Sequence, residues 1–292
     1  MVPAVIDQYI QQWLKEHKAI SSSAIRYVPV GGGSINQTYC MEAGTHRFFC
    51  KINTITKFPS LFACEQKGLT LLEQQQIIRV PKVLAMGEAG NYQVLLLEWI
   101  EQGLRTDVFW KKFGEQLAAL HHQQGNHFGL DSDNYMGSLP QYNKPHGSWT
   151  DFFVQQRLQP QIELALNNQL LEPAQAKGFE KLYAKLPEIF ASSPPCLLHG
   201  DLWSGNYLCD DGQQPVLIDP AVYYGHRSMD LAMTTLFGGF DQLFYDSYHY
   251  HYPLPANYRQ QWEVCNLYPL LIHLNLFGKG YLADILHTIR RY

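Results

Sequence analysis

Apolar residues recur at helical spacing through the opening of the chain, where Val5, Ile6, Tyr9, Ile10, Trp13 and Leu14 predict an amphipathic helix over residues 3–19. The period then drops to two. In IRYVPVGGGSINQTYCMEAGTHRFFCKIN, β-branched and aromatic positions alternate with polar ones, which predicts three short strands joined by glycine turns, with EAG at a hairpin tip. Helical spacing returns in SLFACEQKGLTLLEQQ, with Ser60 after Pro59 as the expected N-cap. VPKVLAMGEAGNYQVLLLEWIE adds two strands around EAGN.

Past EQGLR the pattern turns helical in DVFWKKFGEQLAALHHQ. The stretch 125–149, GNHFGLDSDNYMGSLPQYNKPHGSW, reads as a long loop rich in Gly, Asn and Pro, a length that is usually functional or disordered. Helices follow in TDFFVQQRLQPQIELALNN and PAQAKGFEKLYAKLPEIF, then a short strand in PVLIDP and a mainly helical C-terminal third. No internal repeat or low-complexity run interrupts this order. The expectation is an α+β chain with a small β-rich lobe at residues 1–100, a linker near 98–104 and a larger, mainly helical lobe at 101–292.

Composition narrows the class. The chain has 292 residues, 46% hydrophobic and 16% charged, enough to bury a substantial core. A net charge of −4 and a pI near 6.3 argue against a nucleic-acid binder, which would carry a basic stripe. The N-terminus lacks a basic region followed by an apolar core, and no stretch reaches 18 consecutive apolar residues, so neither a secretory signal nor a membrane span is expected. Six scattered cysteines without a CxxC pair read as free thiols in a reducing cytoplasm. With 18 tyrosines the chain has more aromatic surface than a core requires, and part of it is expected to line a pocket.

The chemistry concentrates in CLLHGDLWSGNYL. His199-Gly200-Asp201 is followed by four residues and Asn206, the spacing of the protein-kinase catalytic loop. An Asp there accepts the proton of an attacking hydroxyl, and the Asn oxygen faces magnesium. Asp219 follows eighteen residues later at the end of an apolar strand, where a carboxylate can hold the metal that bridges nucleotide phosphates; a strand-end turn residue is the alternative. The turn Gly31-Gly32-Gly33-Ser34 is either a hairpin turn or a close approach of backbone N–H groups to phosphate. Lys51, mid-strand among apolar neighbours, is either an edge-strand charge or a buried cation aimed at phosphate, with Glu65 fourteen residues on as its ion-pair partner. Glycine loop, strand Lys, helix Glu, linker, HGDxxxxN and strand-end Asp stand in kinase order. Asp230 reads as a helix-start carboxylate bonded to the catalytic-loop backbone.

At LLHGDLWSGN, IDPAVYYGHRSMDLAMTTLFGGF and LIHLNLFG the chain resembles the fructosamine kinase (ketosamine-3-kinase) family, in the aminoglycoside and choline kinase branch of the protein-kinase-like fold. The similarity continues through VGGGSINQTY, FCKIN, FGLDSDNYMGSLPQYN and WTDFFVQQRLQPQIELA, and so spans nearly the whole chain. The resemblance implies a two-lobed kinase, its first lobe nucleotide-binding and its second catalytic. It implies transfer of phosphate from ATP with Mg2+ to the sugar 3-hydroxyl of ketosamines, after which the adduct breaks down and the amine is regenerated. Asp201 would be the base, Asn206 and Asp219 metal ligands, and Lys51 with Glu65 the phosphate-binding pair. The backbone of Glu98, Trp99 and Ile100 would meet adenine. Trp203, beside the base, would stack on the sugar or attract the protonated amine, with a core-supporting role as the alternative. The partner is then a small ketosamine or a glycated protein lysine; the oligomeric state stays open, a monomer being favoured. Another amino-sugar or aminoalcohol acceptor, aminoglycoside or choline-like, is the second reading. A non-catalytic nucleotide binder is the third, and the presence of Lys51, Asp201, Asn206 and Asp219 speaks against it.

Overall fold

The period-two segments become one antiparallel sheet in the computed structural model, which describes residues 2–18, 25–31 and 35–292. Helix α1 (Ala4–Lys18) leads into strands β1 (Arg26–Pro29), β2 (Gln37–Ala43) and β3 (His46–Thr54). Helix α2 (Leu61–Gln75) and strands β4 (Val83–Ala89) and β5 (Tyr92–Glu98) complete the first lobe. The sheet order is β1-β2-β3-β5-β4. Alternation along β3 sends Phe48, Cys50 and Ile52 to the face covered by Ile6, Ile10, Trp13 and Leu14 of α1. Each such side chain, fully buried, contributes about 1.5–3 kcal/mol. The same alternation sends Lys51 to the opposite face, toward α2.

Ser60 does not cap α2. It takes a left-handed φ of 59° and its side chain makes no capping bond. Gln93 of β5, almost fully buried, does that work instead: its Oε1 accepts the Phe62 N–H at 3.3 Å and its Nε2 donates to the Phe58 carbonyl at 2.6 Å. A tertiary partner has replaced the local one, tying α2 to the sheet.

The second lobe opens with α3 (Asp107–His121). The expected loop at 125–149 contains a hairpin, β6 (Asn134–Met136) and β7 (Leu139–Gln141), turning at Gly137. Its three-residue strands are too short to show a period, and buried amides hold it in place. Helix α4 (Trp149–Phe152) runs through a π-helical turn (Phe153–Leu158) into α5 (Gln159–Asn167), followed by α6 (Pro173–Ala176) and α7 (Gly178–Ile189). Strands β8 (Cys196–Leu198), β9 (Tyr207–Cys209), β10 (Pro215–Leu217) and β11 (Tyr223–Gly225) pair as β8 with β11 and β9 with β10. Helices α8 (Ser228–Met233), α9 (Gln242–His251), α10 (Tyr258–Cys265), α11 (Leu267–Phe277) and α12 (Leu282–Ile289) close the chain. The whole is a two-lobed α+β fold, a five-stranded antiparallel sheet followed by a mainly helical lobe. No helix among the described residues is long and apolar enough to cross a membrane.

Burial of His226 beside Trp149 and Phe190 has a measurable consequence. Burial lowers its pKa to about 3, with the positive charge of Arg227 and the nearby His121 adding to the shift. Above the ordinary value of about 6.5 both folded and unfolded states carry a neutral ring, so its contribution is constant. Below it the unfolded chain takes up a proton that the folded chain refuses. The contribution is therefore lost as pH falls, by about 1.4 kcal/mol per pH unit. Unfolding of wild type and His226→Gln, compared at pH 6.5 and 5, is expected to show wild type losing about 2 kcal/mol relative to the variant. A difference that does not change with pH would show that His226 takes up its proton in the folded protein as readily as in the unfolded chain.

Candidate active site

Strand β8 ends where HGDLWSGN begins, and every backbone group of the turn that matters is held. Gly200 has a φ of 86°, and a side chain there would run into the Ala221 carbonyl, so only glycine fits. Asp230 accepts the N–H groups of His199 and Gly200, each at 2.8 Å, as the reading of that residue anticipated. His199 Nε2 donates to the Ile218 carbonyl at 2.9 Å, and the Asn206 carbonyl accepts the Ile218 N–H at 3.1 Å. Asn206 Nδ2 donates to both the carbonyl and the carboxylate of Asp201, each at 2.9 Å. The turn and the strand leading to Asp219 are thus stitched together at both edges.

Burial pushes the Asp201 carboxyl up to about 7, and the charge of Asp219 adds to the shift while Asn206 opposes it. A base poised there is close to neutral pH, where general-base catalysis is most effective.

Asp219 sits just beyond β10 with a φ of 54°, a conformation that costs a non-glycine residue on the order of 1–3 kcal/mol and persists only where surroundings enforce it. One of its oxygens lies 2.5 Å from Lys51 Nζ, and Glu65 lies 2.7 Å from the same nitrogen. The Lys51 side chain is 1% exposed. A lone cation so buried would cost several kcal/mol, and the two carboxylates offset that. Burial alone would depress the Lys51 pKa; Asp219 and Glu65 hold it above its ordinary range. Lys51 of β3, Glu65 of α2 and Asp219 just beyond β10 meet at one point.

Two cavities flank that point. The first, about 180 Å³, lies between Phe49, Pro81, Leu97, Glu98, Trp99 and Ile100 on one side and Gly205, Leu208 and Ile218 on the other, with Gly31 at its edge. Gly32, Gly33 and Ser34 lie outside the described residues. The Glu98 side chain turns away from this groove to Arg79 at 2.6 Å and to the Lys82 N–H at 3.2 Å, which leaves backbone as its contribution to the lining.

The second cavity, about 460 Å³, contains Asp201, Asn206, Asp219 and Trp203. Gly205 has no side chain where the indole of Trp203 folds back over the loop. The ring meets Phe237 edge-on with centroids 5.9 Å apart. Two parts of its wall carried no assignment from the sequence: the hairpin residues Asn134–Gly137 and the α11 residues Ile272, His273, Leu276 and Phe277. The unusual length of the 125–149 segment was the one available signal for the hairpin.

Asp219, Asn206 and Asp201 all line the larger cavity, Asp219 lines the smaller one as well, and no cluster of three His, Cys, Asp or Glu side chains suited to a metal exists among the described residues. A set of so few carboxylates fits a hard cation that completes its shell with phosphate oxygens and water, as magnesium does.

The fructosamine kinase family model matches residues 6–292. The chain belongs to the fructosamine kinase family. It is 41% identical over 253 residues to the probable ketoamine kinase slr1563 of Synechocystis, covering 86% of this chain and 85% of the relative. It is 34% identical over 297 residues to the chloroplastic protein-ribulosamine 3-kinase of Arabidopsis thaliana, covering 99% and 89%. Among solved structures, a candidate fructosamine-3-kinase from Haemophilus somnus superposes with a TM-score of 0.87 at 27% identity, over 97% of this chain and 96% of that one. At 14% identity or below the fold alone extends to an aminoglycoside phosphotransferase and a choline kinase. This fructosamine kinase family member is an ATP-dependent phosphotransferase.

Proposed function

We propose that this kinase phosphorylates the 3-hydroxyl of ketosamines, the adducts of fructose- or ribulose-type sugars with amines or protein lysines, as a deglycation repair step. The observation that carries the reading is the composition of the larger cavity. Beside Asp201 it offers an indole, an imidazole and aliphatic wall, and among the described residues it holds no carboxylate beyond Glu65, Asp201 and Asp219. A polycationic aminoglycoside calls for several acceptor carboxylates, whereas a single sugar with one amine tail suits a face for stacking and one base. The names of the relatives point the same way.

In this reading residues 1–100 form the nucleotide lobe and residues 101–292 the catalytic lobe. Adenine lies against the backbone of Glu98, Trp99 and Ile100, and the glycine turn from Gly31 to Ser34 covers the phosphates. Lys51, fixed by Glu65, grips phosphate oxygens. Asp219 and Asn206 would hold magnesium, which when bound neutralises charge on the phosphates. Asp201 takes the proton of the sugar hydroxyl as that oxygen bonds to the γ-phosphorus and the bond to the leaving ADP oxygen breaks. Trp203 orients the sugar. The six cysteines are free, in keeping with a reducing compartment such as the cytoplasm.

ATP turnover with ribulosyl-lysine, fructosyl-lysine, choline and kanamycin as acceptors tests this. Turnover is expected on the two ketosamines alone. Turnover on choline or kanamycin and not on the ketosamines would keep the phosphoryl chemistry and overturn the acceptor.

A further inference from the structure

Behind the larger cavity lies a buried chain of side-chain amides that the chemistry above does not use. It begins at Arg157 on the π-helical turn, a guanidinium with no exposed surface. Among the described residues no carboxylate pairs with it; it lies over the rings of Tyr223 at 4.0 Å and Phe152 at 4.5 Å. Arginine offers donors only. Its Nη2 donates to Asn143 Oδ1 at 2.8 Å, so Asn143 turns its Nδ2 away, to the Ser132 carbonyl and to Asn134 Oδ1, each at 3.1 Å. Asn134 Oδ1 also accepts Gln141 Nε2 at 2.8 Å, so the Asn134 amide nitrogen points outward and donates to the Val222 carbonyl at 2.9 Å. Gln141 Oε1 accepts the Tyr268 hydroxyl at 2.9 Å, and its Nε2 reaches the Ala221 carbonyl at 3.0 Å.

Amide orientation is ordinarily a matter of partners on both sides. Here a donor-only cation at one end dictates every orientation down the chain, and the far end emerges as two donors. Both land on carbonyls just past Asp219. The Ala221 N–H is taken by the His199 carbonyl at 2.9 Å, and Ile218 is held on the other side by His199 and Asn206. Asp219, in its left-handed conformation, is therefore clamped front and back.

We propose that Arg157, Asn143, Asn134 and Gln141 are positioning residues. Arg157 sets the polarity of an amide relay that pins residues 221–222 and keeps Asp219 in the conformation where it meets Lys51. The clamp is a property of the nucleotide-free chain; only its kinetic consequence rests on the proposed role of Asp219 in holding magnesium.

Hydrogen exchange of residues 216–224 in the nucleotide-free protein tests it, using wild type, Gln141→Met, Arg157→Met and Tyr268→Phe. The last removes a donor to Gln141 and leaves both donors to the Asp219 segment in place. Wild type is expected to protect the segment. Exchange should be about tenfold faster in Gln141→Met and Arg157→Met, the scale of one net hydrogen bond, and near wild type in Tyr268→Phe. In the same two variants the magnesium concentration giving half-maximal rate should rise severalfold while KM for the acceptor stays put, a split that general loosening would not produce. Exchange of the segment within seconds in wild type would overturn the proposal even if the variants fail to fold, and so would unchanged exchange in both folded variants. Faster exchange with an unmoved magnesium requirement upholds the clamp and counts against Asp219 as the metal's carboxylate.

Discussion

Asp219→Asn is expected to lower kcat by about 10³-fold, the scale seen when one preorganised electrostatic group is removed from a transition state. In phosphoryl transfer the protein contributes positioning and charge stabilisation far more than covalent chemistry, so a carboxylate that holds the metal should outweigh the base. Asparagine is the informative replacement because of the backbone. At a φ of 54° most residues are strained, and Asn is among the few that visit this region readily, so the variant should fold. Lys51 keeps Glu65 at 2.7 Å and is not left as a bare buried cation. What the change removes is the negative charge at the wall common to both cavities. Calorimetry of ADP binding provides a second reading. In wild type, magnesium should tighten ADP; in Asp219→Asn that increment should vanish while metal-free ADP binding persists. A variant within tenfold of wild type in kcat, with the magnesium increment intact, would remove Asp219 from the metal site.

How much of this was legible in the sequence depends on whether a feature is local. The turn from His199 to Asn206 could be read because Gly200, Asp201 and Asn206 lie within eight residues, and the bonds that join Asp201 to Asn206 and to His199 stay within that span. Lys51 could be read because period-two alternation puts it on the opposite face from Cys50 and Ile52. Glu65 followed from helical continuity after it. What was missed was decided by partners far along the chain, although one such partner, Asp230, was anticipated. Ser60 has the right residue type for an N-cap, yet the Phe62 N–H is taken by Gln93, thirty-one residues further on. The hairpin at 134–141 is held by amides whose partners are Ala221, Val222 and Tyr268, eighty or more residues on, and no short-range pattern announces such partners. The α11 wall of the larger cavity was invisible for a different reason. Ile272, Leu276 and Phe277 are ordinary core-type residues, and only the packing of α11 against Trp203 and Phe237 through His273 decides that they face a cavity.

Asp201→Asn is expected to reduce kcat by about 10²–10⁴-fold, the usual contribution of a general base, with KM for ATP little changed because Asp201 faces the larger cavity and not the groove lined by Trp99 and Ile100. The geometry makes this a test of charge more than of shape. Asn206 donates to Asp201 through both the backbone carbonyl and a carboxylate oxygen, and the backbone bond at 2.9 Å survives the substitution, so the turn should keep its form. The pH profile adds a sign that only a base predicts. With its carboxyl pushed up to about 7 by burial and by Asp219, Asp201 is a competent proton acceptor above that value and is progressively protonated below it. The activity kcat/KM of wild type should therefore fall tenfold per pH unit on the acid side of a midpoint at or below about 7. The midpoint should move lower as magnesium is raised, since a cation beside Asp219 cancels part of the charge that lifts Asp201. In Asp201→Asn the residual rate should lose this limb and run level across the same range. A residual rate that still falls with unit slope would assign the titration to another group and leave Asp201 with an orienting role alone.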